Sequence, residues 1–163
     1  MIVCLVAIEK NQGIGFQGFM PWPHLKEDLT WFEKRSNGHI VLMGSNTWKS
    51  IGKYLKNRIN VVISSKQDLT GPDHVLSNPH EAIEFLKKTY PDKDICIVGG
   101  QKIYDSLQEY VDAFYITHIN ESYNCDTFFN LLFVLMYYQK ITDLYSVPAT
   151  KDTPSYTIKE YKK

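Results

Sequence analysis

Gly13-Ile14-Gly15-Phe16-Gln17-Gly18-Phe19-Met20-Pro21-Trp22-Pro23-His24-Leu25-Lys26-Glu27-Asp28-Leu29-Thr30-Trp31-Phe32 follows an apolar run, Ile2 to Ile8, and its reading decides which α/β fold the chain adopts. The first six residues spell G-x-G-x-x-G behind a strand, the pattern of a dinucleotide-binding turn. Such a turn needs a helix that opens directly on its glycines and faces a pyrophosphate with its N-terminus. Pro21 and Pro23 forbid regular helix across the residues that follow. The glycines are therefore expected in a loop, and the first helix over 25–36. On a helix turning about 100° per residue, Leu25, Leu29, Phe32 and Ser36 form one stripe, and Asp28 falls on its border beside Leu25 and Phe32. Lys26, Glu27, Thr30, Glu33 and Lys34 take the solvated face. A carboxylate turned toward an apolar stripe needs a partner or a raised pKa. A bound cationic or hydrogen-bond-donating ligand is the natural partner; a half-exposed acid on a helix margin fits the same spacing.

Outward from this stretch, short β-branched runs alternate with helical patterns. Strands are expected near 2–8, 40–44, 60–64, 74–76, 95–98 and 113–119, and helices near 25–36, 46–51, 79–88 and 101–109. That alternation predicts an α/β fold: one domain over residues 1–163, with a central, mostly parallel twisted sheet of about eight strands flanked by about four helices. The clearest helix follows Asn78-Pro79, a capping residue and a first-position proline, and turns Ala82, Ile83, Phe85 and Leu86 inward. Tyr137 to Tyr145 and Ser155 to Tyr161 alternate around a proline-containing loop, the pattern of a C-terminal antiparallel hairpin at the sheet edge. No internal repeat or linker divides the chain.

A chain of 163 residues supports one sizeable core. Eighteen basic and eighteen acidic residues cancel, so no electrostatic footprint for nucleic acid or an anionic membrane appears. A small-molecule partner is expected. Cys4, Cys96 and Cys125 are odd in number and far apart, which argues against a disulfide framework or a zinc site and for a reducing compartment. The apolar run 2–8 lacks a basic leader and is too short to span a bilayer, so a soluble, cytoplasmic protein is expected.

Gly99-Gly100 ends an apolar strand and starts a helix, which sets backbone N–H groups where a phosphate could sit; a tight strand-to-helix turn would need glycine anyway. Gly44-Ser45-Asn46-Thr47 repeats the arrangement, and two such turns suit a dinucleotide. Ser64-Ser65-Lys66 follows the next strand end. Arg58 precedes that strand, where a solvated surface arginine is the usual outcome. Thr117 alternates with apolar neighbours and could be an ordinary strand residue.

Taken together, these segments resemble the dihydrofolate reductase family. The likeness rests on the Gly-rich loop with Met20-Pro21-Trp22 and the Asp28-Leu29-x-x-Phe32 helix, on Met43-Gly44-Ser45-Asn46-Thr47-Trp48-Lys49-Ser50-Ile51-Gly52, and on Arg58-Ile59-Asn60-Val61-Val62-Ile63-Ser64-Ser65. It continues through Ile97-Val98-Gly99-Gly100-Gln101-Lys102-Ile103-Tyr104 and Tyr115-Ile116-Thr117-His118-Ile119 to Asp126-Thr127-Phe128-Phe129, in the family's order to about residue 129. The resemblance implies a monomeric enzyme of one-carbon metabolism that reduces dihydrofolate with NADPH and holds no metal. Asp28, Trp22, Thr117 and Met20 become its catalytic group, Asp28 anchoring the pterin while Thr117 and Trp22 orient it. Val6, Leu29, Phe32, Ile51, Leu55, Arg58 and Val98 join Asp28 and Thr117 around the substrate, Arg58 gripping the α-carboxylate of the folate tail. The cofactor falls to Ala7, Ile14, Gly15, the turn Gly44 to Thr47, Ser64, Ser65 and Lys66, the run Val98-Gly99-Gly100-Gln101-Lys102-Ile103-Tyr104, and Asp126. An unusual Gly99-Gly100 peptide geometry is implied as well, and a lid carrying Met20 that hydrogen-bonds the Asp126 loop.

The chain departs from the family pattern at three places. Ser45 stands where a basic residue is frequent, with Lys66 and Lys102 left to compensate. Cys125 replaces a frequent glycine. Residues 130–154 match poorly, and Leu131-Leu132-Phe133-Val134-Leu135-Met136 is apolar where a looser connection is expected, as extra core or as a contact surface. Two other readings stay open: a related pyrimidine reductase, whose substrate needs neither the Asp28 wall nor Arg58, and a non-catalytic nucleotide-binding homologue.

Overall fold

The computed structural model describes residues 1–163. Ten strands are β1 (Ile2–Ile8), β2 (Gly13–Gly15), β3 (Ile40–Gly44), β4 (Ile59–Ile63), β5 (His74–Leu76), β6 (Ile95–Ile97), β7 (Ala113–Ile119), β8 (Thr127–Phe128), β9 (Lys140–Val147) and β10 (Tyr156–Lys162). Five α-helices are α1 (Lys26–Ser36), α2 (Ser45–Ile51), α3 (Pro79–Thr89), α4 (Gln101–Leu107) and α5 (Leu131–Tyr137). Eight strands form one sheet in the order β5-β4-β3-β6-β1-β7-β10-β9. It is parallel from β5 to β7, and β10 lies antiparallel to both β7 and β9.

Strand side chains alternate between faces, and the sheet is covered on both faces at its centre while the edge strand β9 is exposed along nearly its whole length. Ile2, Cys4, Val6 and Ile8 of β1 join the core under α3, α4 and α5, with Leu86, Leu107, Val134 and Tyr138. Val3 and Leu5 enter the opposite core with Met43, Leu55 and Tyr115, against which Trp31 and Phe32 of α1 and Trp48 and Ile51 of α2 pack. No helix is long and apolar enough to cross a membrane.

Five helices meet the expectation of about four. Residues 131–137 are helical, because the Asn130 side chain accepts the Phe133 N–H at 3.2 Å and Val134 and Tyr138 bury into the core. Of the two readings of this segment, extra core is met by the side that carries Val134, while Leu132, Leu135, Met136 and Tyr137 are exposed. Tyr137 and Tyr138 thereby leave the C-terminal hairpin, whose first strand starts at Lys140. The helix expected over 101–109 ends at Leu107 and tightens into a 3-10 turn over Gln108–Tyr110. The short β2–β8 sheet was not foreseen in the sequence, where three residues carry no period.

The G-x-G-x-x-G stretch is a hairpin. Phe16 and Phe19 exchange backbone hydrogen bonds of 2.7 and 3.0 Å around Gln17 (φ 50°) and Gly18 (φ 87°), left-handed at both central positions. Its rejection as a phosphate turn holds, since no helix begins until Lys26.

Candidate functional site

Helix α1 reaches the sheet through Asp28. The Thr117 hydroxyl on β7 donates to Asp28 Oδ1 at 2.6 Å, across 89 residues of sequence. Ala7 on β1 lies in register with Thr117 and shares its face. Burial pushes the Asp28 pKa up, and the Thr117 hydrogen bond pulls against that shift. No cation pairs with Asp28. Leu29, expected in the buried stripe, is 39% exposed, while Leu25 and Ser36 at the stripe's ends are buried. Phe32, Ile51 and Val98 pack on the core beneath yet stay half-buried, leaving an apolar wall that a flat ligand could cover. Leu55 is buried, held where the Asn60 side chain bonds both its N–H and its carbonyl at 2.9 Å. Val6 faces the opposite core, so only its backbone lies toward this side of the sheet.

The other proposed orienting group, Trp22, makes no hydrogen bond to Asp28. It is buried with Leu25, Ile119 and Tyr156 and meets Tyr123 edge-on, ring centroids 6.1 Å apart. The first turn of α1 is instead tied to β10, where the Tyr156 hydroxyl donates to Glu27 Oε2 at 3.1 Å. Sequence spacing could not expose this pair, which is separated by 129 residues.

Two half-buried arginines differ in what they meet. Arg35 pairs with Asp94 at 3.1 Å and lies over the Tyr115 ring. Arg58 forms a salt bridge with no acid: its Nη1 donates to Ser36 Oγ and its Nε to the Lys56 carbonyl, each at 3.1 Å. The half-buried guanidinium is anchored at the end of α1, and three of its N–H groups make no hydrogen bond within the protein.

The two glycine turns touch. Gly44 N–H donates to the Gly99 carbonyl at 2.9 Å, and β3 and β6 are neighbours, so α2 and α4 start side by side. Neither helix has a side-chain N-cap, whereas α3 and α5 are capped by Asn78 and Asn130. Their first-turn N–H groups are therefore open to another acceptor. The Gly99-Gly100 peptide is cis, as the resemblance implied. Gly99 has φ 120°, and a Cβ there would meet the Tyr104 hydroxyl at 3.3 Å and Thr47 Oγ1 at 3.5 Å. Tyr104 and Ile103 support the turn from behind: both are buried, and the Tyr104 hydroxyl donates to the Leu5 carbonyl at 2.9 Å. The Gln101 side chain is taken by the Phe128 N–H at 2.9 Å. Asn46, Ser65, Lys66 and Lys102 are exposed around this region, with Ser45, Thr47 and Ser64 partly buried.

The Gly-rich loop, with Met20 exposed beyond its tip, is fastened to the segment bearing Asp126. Asp126 Oδ2 accepts the Gln17 N–H and Asp126 N–H donates to the Gly15 carbonyl, both at 2.9 Å. β2, which contains Ile14, pairs with β8 beneath these bonds. Glu9 escaped the sequence reading; its one signal was an acid placed directly after a wholly apolar strand.

A family model described as dihydrofolate reductase matches residues 1–163. The dihydrofolate reductase of Bacillus subtilis (strain 168) is 32% identical over 130 residues, covering 79% of this chain and 75% of its own. That of Buchnera aphidicola subsp. Schizaphis graminum (strain Sg) is 37% identical over 129 residues, 78% of each chain. A viral dihydrofolate reductase of Saimiriine herpesvirus 2 (strain 488) is 32% identical over 146 residues, 79% of this chain and 68% of its own. Among solved structures, dihydrofolate reductase from Enterococcus faecalis, complexed with NADP(H) and RAB-propyl, superposes with a TM-score of 0.83 at 24% identity, covering 99% of this chain and 95% of that one. With the whole chain matched by the family model and the fold shared, this protein belongs to the dihydrofolate reductase family.

Proposed function

We propose that the chain reduces 7,8-dihydrofolate to tetrahydrofolate with NADPH, on the α1 side of the sheet, as a monomer of the cytoplasm. The observation that carries the site assignment is the Asp28–Thr117 pair, a half-buried carboxylate with one hydroxyl donor and no cation. Asp28 holds the 2-amino group and ring N–H of the pterin by charge-assisted hydrogen bonds, and Thr117 keeps one carboxylate oxygen fixed. Leu29, Phe32, Ile51 and Val98 cover the ring faces, and Arg58 takes the tail carboxylate as a fork.

The adjacent uncapped starts of α2 and α4 and the Gly99 cradle fit a dinucleotide phosphate, with Lys66 and Lys102 left for the ribose phosphate. Reduced nicotinamide supplies the hydride when bound; the protein supplies alignment and exclusion of bulk water. Asp28 lies at the pterin edge remote from N5, so the proton for N5 arrives through water admitted beside the Met20 loop. One chain contributes every group of this site, and its three thiols are free, which suits a reducing compartment. Loss of NADPH absorbance on adding dihydrofolate, against a control without folate, tests the reading. No folate-dependent oxidation would leave a non-catalytic homologue.

A further inference from the structure

We infer that Glu9 is a positioning residue that fixes the base of the lid over the Asp28 site. This rests on the reductase reading and adds to it a residue outside the proposed substrate and cofactor groups. Glu9 directly follows β1 and is 2% exposed. Its Oε2 accepts the N–H of Gly13 at 2.6 Å and of Asn11 at 2.9 Å, and its Oε1 accepts the N–H of Tyr123 at 3.2 Å. No lysine or arginine pairs with it, so three backbone donors replace the lost hydration of this carboxylate.

Those donors come from two separate segments. Asn11 and Gly13 lead into the lid, and Tyr123 leads into the segment that carries Asp126. The same segments meet again at Lys10 N–H to the Glu121 carbonyl, 3.2 Å, and at Phe129 N–H to the Gln12 carbonyl, 2.8 Å. Asp126 closes the pair nearer the tip through Gln17 and Gly15. The lid is thus clasped twice by carboxylates, at its base by Glu9 and toward its tip by Asp126. Glycine at 13 belongs to the device, because a Cβ there would press on Cys125 and stand 2.8 Å from Glu9 Oε2. With the base loosened, Gly15 and Met20 lose their set position relative to Ala7 and Asp28, and alignment for hydride transfer suffers before folate binding does.

The test is single-turnover hydride transfer from NADPH to dihydrofolate in wild type, Glu9→Gln, Asp126→Asn and the double variant. Glutamine keeps the size but loses the charge and presents an amide N–H₂ to backbone donors. Expected is a loss of about tenfold in hydride transfer for Glu9→Gln, with dihydrofolate affinity within about twofold of wild type. The double variant should be no more than about threefold slower than the slower single, since both act on one lid. Equal falls in rate and affinity, with losses that multiply in the double variant, would reduce Glu9 to a fold-stabilising residue and overturn the inference, as would an unchanged rate. Amide exchange on the intact wild type is independent of whether Glu9→Gln folds: Gly13 and Tyr123 should be protected together, and free exchange at either removes the clasp. If wild type shows no folate-dependent oxidation, the reductase reading fails, while the exchange data still decide whether Glu9 joins the two segments.

Discussion

Asp28 meets opposite demands in folding and in binding. Burial raises its pKa, so the native chain holds that proton more readily than the unfolded chain does. Between the ordinary aspartate value and the raised native value, stability therefore falls as pH rises, and above that window the whole cost is present. Asp28→Asn keeps an oxygen for the Thr117 hydroxyl and removes the charge. It should raise the melting temperature of the ligand-free protein at pH 7, with the gain fading toward about pH 4 and below. Melts at the two pH values check this, and a lower midpoint at pH 7 would mean the ionised form is the stabilised one. The same variant should lose about 10²- to 10⁴-fold in dihydrofolate reduction near neutrality and recover in part in acid, where the substrate arrives protonated. Glu27→Gln retains an acceptor for Tyr156 and should cost far less.

Arg58 offers a second test at this scale, because its guanidinium hydrogen-bonds a hydroxyl and a carbonyl and forms a salt bridge with no acid. Arg58→Leu should weaken folate binding by about 2 to 4 kcal/mol and leave small antifolates without a glutamate nearly unaffected, as expected for a lost charge-assisted fork. Calorimetry with both ligand types separates this from a structural role, for which the two losses would be equal.

At the level of elements, the lid and its partner segment meet at Cys125. Its φ is not positive, so the side chain stands in ordinary backbone without left-handed strain, packed near Gly13 and Glu9. A residue with a Cβ there narrows the conformations open to the segment. Cys125→Gly is expected to lower the melting temperature and slow hydride transfer about two- to fivefold, with folate affinity nearly intact. Stopped-flow rates and melting curves on that variant decide, and no change in either would show that the segment does not gate the site. Helix α5 is the element whose reading needed tertiary structure. Its residues are apolar on nearly every side, so periodicity could not mark an inward face, and burial of Val134 and Tyr138 selected one.

Across the whole molecule, the strand ends opposite α1 carry a pH dependence of their own. His118 Nε2 lies 2.7 Å from the Tyr161 hydroxyl, and burial, with Lys159 nearby, pushes its pKa down to about 4. The unfolded chain then binds the proton more readily between about pH 6.5 and that value, so stability is lost as pH falls through this window. His118→Gln should flatten that part of the stability curve, which urea titrations between pH 7 and pH 4 would register; an unchanged slope would assign the acid loss to other groups.

How much of this molecule was legible in its sequence varies with the range of the interaction. The strand and helix order, the placement of Asp28 at an apolar margin, and the refusal of a phosphate turn at Gly13 to Gly18 follow from local periodicity and from the fixed φ of Pro21 and Pro23, which any fold must respect. Motif order added the glycine turns and Arg58. The resemblance also implied that Thr117 orients Asp28, but only the folded chain decided that Tyr156 reaches Glu27, that Arg58 rests on Ser36 and that Glu9 joins two loops. Each of these joins groups from different elements, and a hydrogen bond depends on where the sheet places its two ends, which no spacing along one segment contains.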